Sequence, residues 1–500
     1  MIELKELCDR FKGIIGTDDL LIGVRDALLS DRKDDVLRQY TELVEGDLTT
    51  DELQKIFQYY YADRKEKCQD FTPRSIGKLC TMATDGSGTV YDLCAGSGSL
   101  TIQAWVRNPN RRFICEELDE QVIPLLLFNL AVRNIGGYVI NRNSLTMEMT
   151  ACYKLTATDR FSTIEQTEEA PTIEADAVIS NPPYNIRWDA PAPLVADERF
   201  TDKPIPPASN ANFAFVMTAL HRMKEDGRCA FVLPCGVLTG EPEKEIRQYL
   251  IDSGLIERVI TLPDKMFEAT QIPTCVIVFS RGNKSVMMVD ARRSADTEQR
   301  AQNGQFGGAS HERRTYIKTV NTLSDETINE VLNAKADKAR FSACVDGEQI
   351  KGNDYNIATA RYIAFPEEEQ THRPYAEIIA DINRVARERS VLKITINENM
   401  AKEFGLYEVA KLIEQEDEER LNKTLQLVGG HYEGRRYITL TKSKELKIEN
   451  QDKEILSSLL QIFVPMLKQH ILYLNGEENR LLAELRDAML PDLMSGKIEV

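Results

Sequence analysis

The sequence predicts an α/β protein. An open, mostly parallel seven-stranded sheet covered by helices on both faces is preceded by a helical segment and followed by a helical, coiled-coil-like tail. Three observations carry this expectation. Short apolar runs alternate with amphipathic stretches from Thr89 to Arg281. Apolar residues in the first seventy positions recur at helical spacing, and those near the C-terminus keep spacings of three, four or seven. Hydrophobic residues make up 42% and charged residues 28% of 500 positions, a globular balance whose length implies roughly two to four domains.

Leu4, Leu7 and Phe11, then Leu53, Ile56, Phe57 and Tyr60, place helices within residues 1–70. Strands are expected at Thr89–Leu93, Arg112–Glu116, Tyr138–Ile140, Ala175–Ser180, Arg228–Pro234, Ile256–Leu262 and Thr274–Ser280. Helical patterns between them include Asp119–Asn134, Ala211–Glu225 and Glu241–Ser253. Thr150–Thr172, rich in Thr and Glu, reads as a surface insertion. Asn185–Asn212 carries prolines at 191, 193, 204, 206 and 207 and reads as a long functional loop. Tyr375–Arg389 and Met400–Leu421 read as charged helices. From Ile455 to Met489 the apolar positions 460, 463, 467, 474, 481 and 485 resemble a coiled coil that Pro465 and Gly476 should interrupt. The implied domains are an N-terminal helical segment (1–70), a catalytic domain (71–364), a charged helical linker (365–425) and a C-terminal helical region (426–500).

Lys and Arg number 62 against 79 Asp and Glu, a net charge of −17, so the chain as a whole has no basic nucleic-acid footprint. If DNA is held tightly, a partner supplies much of the positive charge. The ten cysteines form no C-x-x-C pair and suit reduced, mostly buried thiols. The first residues do not read as a signal peptide. The most apolar stretch, Val122 to Leu130, is too short to span a membrane, so a cytoplasmic protein is expected. The five dispersed histidines suggest no metal site, and no phosphate-binding G-x-x-x-x-G-K-[ST] loop of an ATP-driven motor is evident.

Two motifs carry chemistry. Val90-Tyr-Asp-Leu-Cys-Ala-Gly-Ser-Gly-Ser99 puts Asp92, Gly96 and Gly98 directly after an apolar strand, where glycines let the backbone turn tightly against a ligand. Thr101 stands where a dinucleotide fingerprint has its third glycine, which weakens the case for a pyrophosphate. The next strand ends in Cys115-Glu116-Glu117, an acid placed to accept from both ribose hydroxyls. A nucleoside cofactor without a pyrophosphate fits, and S-adenosylmethionine is one. The second motif, Asn181-Pro182-Pro183-Tyr184, ends the fourth strand and should face the glycine loop. The Asn181 amide oxygen and the Pro182 carbonyl can both accept from one amino group, which pyramidalises a delocalised nitrogen and frees its lone pair. Tyr184 offers a flat face to the ring bearing that nitrogen.

Phe71-Thr72-Pro73, Asp92…Gly96-x-Gly98 and Asn181-Pro-Pro-Tyr184 occur in the order of gamma-class N6-adenine DNA methyltransferases. The chain resembles, more narrowly, the modification subunit HsdM of type I restriction–modification systems. The likeness continues through Gly227-Arg-Cys-Ala-Phe-Val-Leu-Pro234, Gln271-Ile-Pro-Thr-Cys-Val276 and Asp354-Tyr-Asn-Ile…Arg361-Tyr362. It implies a Rossmann-like class I fold and methylation of adenine N6 in a specific double-stranded DNA sequence, with S-adenosylmethionine as cofactor. Implied partners are DNA, a specificity subunit HsdS, a second M subunit and, as a further candidate, a restriction subunit HsdR.

By position, Phe71, Thr72 and Pro73 would line the methionine end of the cofactor. Asp92, Gly96, Gly98, Ser99 and Leu100 would form its loop, and Glu117 would hold the ribose. Asn181, Pro182, Pro183 and Tyr184 would be catalytic, with Phe267 a second wall of the base pocket. Asn143 stands where the family has an acid contacting the cofactor's adenine. The part before Phe71 is shorter than the family usually has. Residues 452–458 and 478–496 resemble the C-terminal helical region of HsdS and suggest a docking helix for an S or second M subunit. Arg187, Trp188, Arg199 and Lys203 in the proline-rich loop are candidate DNA contacts. A stand-alone adenine methyltransferase and a protein-glutamine methyltransferase remain alternatives, because the nitrogen argument serves an amide equally well.

Overall fold

The structure is a computed structural model of the chain. It describes residues 4–60, 72–188, 197–267, 272–303, 315–364, 373–388, 431–432, 435–436, 438–440, 446–448 and 473–489. The chain divides into two compact units, Met1–Pro366 and Glu367–Val500.

Four helices open the first unit: α1 (Leu4–Ile15), α2 (Leu20–Leu28), α3 (Lys33–Leu43) and α4 (Glu52–Tyr60). They are followed by α5 (Arg74–Ala83), β1 (Thr89–Asp92), α6 (Ser99–Arg107), β2 (Arg112–Glu117), α7 (Ile123–Val132), β3 (Gly137–Arg142), β4 (Met149–Thr156), β5 (Thr163–Thr167) and β6 (Ala175–Ser180). Next come α8 (Asn212–Arg222), β7 (Met223–Pro234), α9 (Lys244–Asp252), β8 (Ile256–Thr261), β9 (Thr274–Phe279) and β10 (Ser285–Asp290). The hairpin β11 (Asp296–Asn303) and β12 (Thr315–Thr322), then α10 (Asp325–Asn333), β13 (Ser342–Asp346) and α11 (Gly347–Gly352), complete the sequence of main elements in this unit.

The central sheet has eleven strands, not seven, in the order β13-β10-β8-β9-β7-β6-β1-β2-β3-β4-β5. The seven expected strands are its contiguous middle, from β8 to β3. Strand β9 runs antiparallel to both neighbours, as do β4 to β3 and β5 and β13 to β10; the remaining pairings are parallel. The segment read as a surface insertion, Thr150–Thr172, instead supplies most of β4 and all of β5, which extend one edge. Its pattern hid this role because only Cys152 and Leu155 of β4 are buried, with Tyr153 packed partly on the core, while Met149, Thr150, Lys154 and Thr156 are exposed. A polar outer face is what an edge strand needs to resist pairing with another chain.

The middle strands are buried on both faces. Ala175, Ala177, Val178, Ile179 and Ser180 of β6 all lie inside, the apolar run expected of a parallel strand under two helical layers. The apolar stretch from Val122 to Leu130 has the same explanation: nine of the ten residues of α7 are buried. One side of α7 packs on the sheet and the other on the N-terminal helices, since a helix apolar all round must be covered all round. Phe128 sits edge-on to Phe11 and Tyr40, at centroid distances of 5.5 and 5.1 Å, and those two rings are 5.3 Å apart. The N-terminal helices thus share one core with α5, α6 and α7.

In the second unit, helices at 375–388 and 473–489 bury Val385, Leu474 and Leu481 together. Arg373 bonds Glu484 at 2.8 Å, and the Tyr375 hydroxyl donates to the Ala488 carbonyl. Gly476 lies within the second helix rather than interrupting it. One glycine costs a helix only about 1 kcal/mol relative to alanine, and packing on both sides covers that. Pro465, residues 400–421 and most of 426–500 lie outside the described residues. Among the described residues no helix is long and apolar enough to cross a membrane.

If the three-ring contact holds the N-terminal helices to α7, Phe128→Ala should cost about 3–5 kcal/mol in denaturant unfolding. A loss below about 1 kcal/mol would show that the aromatic cluster does not carry that contact.

Candidate active site

Strand β1 has β2 on one side and β6 on the other, so the sheet order reverses there and the carboxyl ends of β1 and β6 share one crevice. The turn after β1 requires its glycines. Gly96 and Gly98 have φ of +56° and +100°, and a Cβ on Gly98 would meet Leu126 Cδ1 at 3.0 Å. Gly98 is the left-handed cap of α6, whose first amides have no partner within the helix. Leu100 points into the core, so its contribution to a ligand would be its backbone.

Glu117 is held at the mouth of this turn. Its carboxylate accepts from the amides of Gly96 and Asp119, each at 2.8 Å, and burial raises its pKa. A carboxylate has about four acceptor positions, so two remain for the hydroxyl pair of a ribose. Glu116 faces the other way: it is fully buried, pairs with Arg142 at 2.9 Å and accepts from Ser144. Asp92 is also fully buried. One oxygen accepts from Thr101 Oγ1 at 2.9 Å, while Oδ1 has no partner at hydrogen-bond geometry among the described residues, and burial pushes its pKa up to about 7. Thr101, the departure from the three-glycine fingerprint, is therefore the buried partner of Asp92. Two glycines in the left-handed region, free acceptor capacity on Glu117 and a buried oxygen without a partner among the described residues form a donor and acceptor set that fits S-adenosylmethionine.

Asn143 does not stand ready as the missing acid. Its side-chain oxygen accepts from the amides of Leu145 and Thr146 and closes its own turn. Asn141, which sequence reasoning passed over, acts here instead: its Nδ2 donates to the carbonyls of Glu117 and Leu118 at 2.9 and 3.0 Å and sets the course of that segment. Leu118, next to Glu117, is 64% exposed, an apolar surface at the same mouth.

Across the crevice, Asn181 follows β6. Its Nδ2 donates to Thr72 Oγ1 at 2.9 Å, and its Oδ1 accepts from the Tyr184 hydroxyl at 2.6 Å. Pro182 is buried and Pro183 half-buried. The Tyr184 and Phe267 rings stand edge to face with centroids 6.4 Å apart. The structure thus brings Thr72, Asn181 with Tyr184, and Phe267 together from three separate parts of the chain. Pro73 caps α5 beside them, and Phe71 lies outside the described residues. Asn185 and Asn212 bond each other twice and pin the following loop to the start of α8.

The candidate DNA contacts need correction. Arg199 is only 2% exposed. Its guanidinium donates to the carbonyls of Ser144 and Leu145, to Thr218 Oγ1 and to Asp197. Trp188 is buried on Phe200, and its indole N–H donates to the Pro207 carbonyl. Lys203 folds back onto the Arg199 and Glu198 carbonyls. Trp188 and Lys203 thus satisfy carbonyls of the loop itself, while Arg199 satisfies those of the turn after β3. Arg187 is exposed.

A doubly wound sheet whose seven middle strands include one reversed strand, β9, with a glycine turn after the first strand, is the fold of class I methyltransferases, and Asn-Pro-Pro-Tyr follows its fourth core strand. Residues 45–371 match the family described as N-6 DNA Methylase, and the chain belongs to that family. It is 26% identical over 381 residues to the type I restriction enzyme HindI methylase subunit of Haemophilus influenzae, covering 71% of this chain and 78% of that protein. It is also 26% identical over 315 residues to the MpnII methylase subunit of Mycoplasma pneumoniae, which covers 59% of this chain and only 52% of the relative. The chain thus spans about half the length of that relative. A solved type I restriction–modification methyltransferase subunit from Streptococcus thermophilus superposes with a TM-score of 0.51 at 26% identity, over 72% of this chain and 77% of that one.

The burial of Asp92 has a measurable sign. Its folded pKa lies above the ordinary value of 3.8, so the stability it contributes is present at low pH and is lost as pH rises through about 7. Without cofactor, the denaturation midpoint of the unaltered chain should fall across that range more steeply than that of Asp92→Asn. Parallel curves would mean that Asp92 is ionised in the fold.

Proposed function

We propose that the chain transfers a methyl group to the exocyclic N6 of adenine in a specific double-stranded DNA sequence. In this reading it acts in the cytoplasm as the modification subunit of a type I restriction–modification system. Membership in the N-6 DNA Methylase family supports the substrate class. The observation that carries the chemistry is Asn181, its oxygen 2.6 Å from the Tyr184 hydroxyl and the Tyr184 ring set against Phe267.

An extruded adenine enters between Tyr184 and Phe267, which replace the stacking it loses on leaving the duplex. Its amino group displaces the Tyr184 hydroxyl from Asn181 Oδ1, one donor for another, at small net cost. The second amino hydrogen goes to the Pro182 carbonyl. Both bonds draw the nitrogen toward a pyramidal shape and aim its lone pair across the crevice toward the glycine turn. Thr72, bonded to Asn181 Nδ2, keeps the amide oxygen turned toward the base. S-adenosylmethionine, when bound, supplies an electrophilic methyl on a sulfonium sulfur. Glu117 would hold its ribose, Leu118 would lie against its adenine, and Phe71, Thr72 and Pro73 would line its methionine end. The surplus proton on N6 leaves to solvent, so no strong base is required.

Target recognition is assigned to a specificity subunit HsdS, because a net charge of −17 leaves little in this chain to hold DNA alone. A second M subunit and a restriction subunit HsdR complete the assembly that the resemblance implies. Residues 426–500 are the proposed docking segment. Asn181→Ala should abolish methyl transfer while leaving cofactor binding intact, measured on the assembled complex by label incorporation and by calorimetry. Equal loss of both would mean that Asn181 serves the cofactor rather than the base.

A further inference from the structure

The segment entering α4 reaches into the glycine turn. Asp51 is 5% exposed, and its Oδ1 accepts from the Gln54 amide at 2.9 Å, capping the helix. Its other oxygen accepts from Ser97 Oγ at 2.7 Å and Ser99 Oγ at 3.1 Å. Asn129 of α7 donates from Nδ2 to Asp51 Oδ1 and to the Ser97 carbonyl, both at 2.9 Å. Gln54 Oε1 lies 2.8 Å from the same Ser99 hydroxyl and shares its single proton with Asp51. The same stretch is held from either side: Gln103 of α6 donates to the Thr49 carbonyl, and Arg133 donates to the carbonyls of Leu48 and Thr50. A helix cap alone needs none of this. The carboxylate fixes both serine side chains of the turn that carries Gly96 and Gly98.

Resting on the cofactor reading above, we propose that Asp51 is a positioning residue for the methyl-donor loop, so that donor affinity depends on how residues 48–54 dock. With its serines clamped from behind, the turn holds its amides toward the crevice before a ligand arrives, and less ordering is left for binding to accomplish. The coupling is reciprocal: a donor that selects the ordered turn must tighten α4 by the same factor.

The test uses the full chain with S-adenosylmethionine and S-adenosylhomocysteine as probes. Calorimetry should show Asp51→Ala binding either about tenfold or more weakly, the worth of a buried charged hydrogen bond, with partial rescue in Asp51→Asn. Ser97→Ala, which leaves Asp51 its other partners, keeps the fold testable if Asp51→Ala does not fold. In the assembled complex its KM for the donor should rise while kcat at saturation stays unchanged. Amide exchange in residues 52–57 of the unaltered chain should slow on adding S-adenosylhomocysteine, which a merely structural cap would not produce. Unaltered affinity in the variants, or exchange in α4 indifferent to the ligand, overturns the proposal. Failure of the unaltered chain to bind either probe overturns the cofactor reading and this proposal with it.

Discussion

Everything in the crevice depends on the reversal of strand order at β1. The chain builds β2 and β3 to one side, then returns to place β6 against the free edge of β1, in a register that sets Asp92 beside Ile179. The connections on the two sides leave in opposite directions, the arrangement that opens a crevice at the carboxyl ends of β1 and β6. The glycine turn leaves one strand and Asn-Pro-Pro-Tyr leaves the next. A sheet buried on both faces must then be covered elsewhere, and α7 covers it so fully that the N-terminal helices are needed to cover α7.

The loops of the site are positioned less by packing than by buried polar groups. Glu117 holds the glycine turn, Glu116 with Arg142 and Ser144 anchors the end of β2, and Arg199 ties the proline-rich loop to the turn after β3. Asp51 and Arg133 hold the segment between the N-terminal helices and the turn. Removing one member of such a set leaves the others buried without partners, at about 1–3 kcal/mol per neutral group and more for a charge. The constellation is accordingly stiff, which suits the proposed aiming of one lone pair.

What could be read from the sequence follows from the same physics. The seven middle strands were legible because strands under two layers become continuous apolar runs. The four outer strands were not, since β4 and β5 show a half-polar face and β10 and β13 fall beyond the alternation. Asn181, Tyr184 and the glycine turn were legible as motifs, and topology alone put them side by side. Thr101 looked like a defect until it proved to be the partner of Asp92. Arg199 and Trp188 were misread because composition does not say whether a long side chain in a proline-rich loop turns out to solvent or back to orphaned carbonyls. Asp51 was invisible: its serine partners lie 46 and 48 residues downstream, and nothing local distinguishes it from an ordinary helix cap.

The central claim is that this crevice places a methyl group on an adenine amino nitrogen, with the sequence chosen by another subunit. The most direct measurement incubates labelled S-adenosylmethionine and unmethylated DNA with the chain, alone and co-expressed with a specificity subunit, and digests the DNA to nucleosides. The account predicts labelled N6-methyladenine from the complex and little from the chain alone. Label from the chain alone would contradict the dependence on a partner. Silence from the complex, or label found in protein instead, would contradict the claim itself.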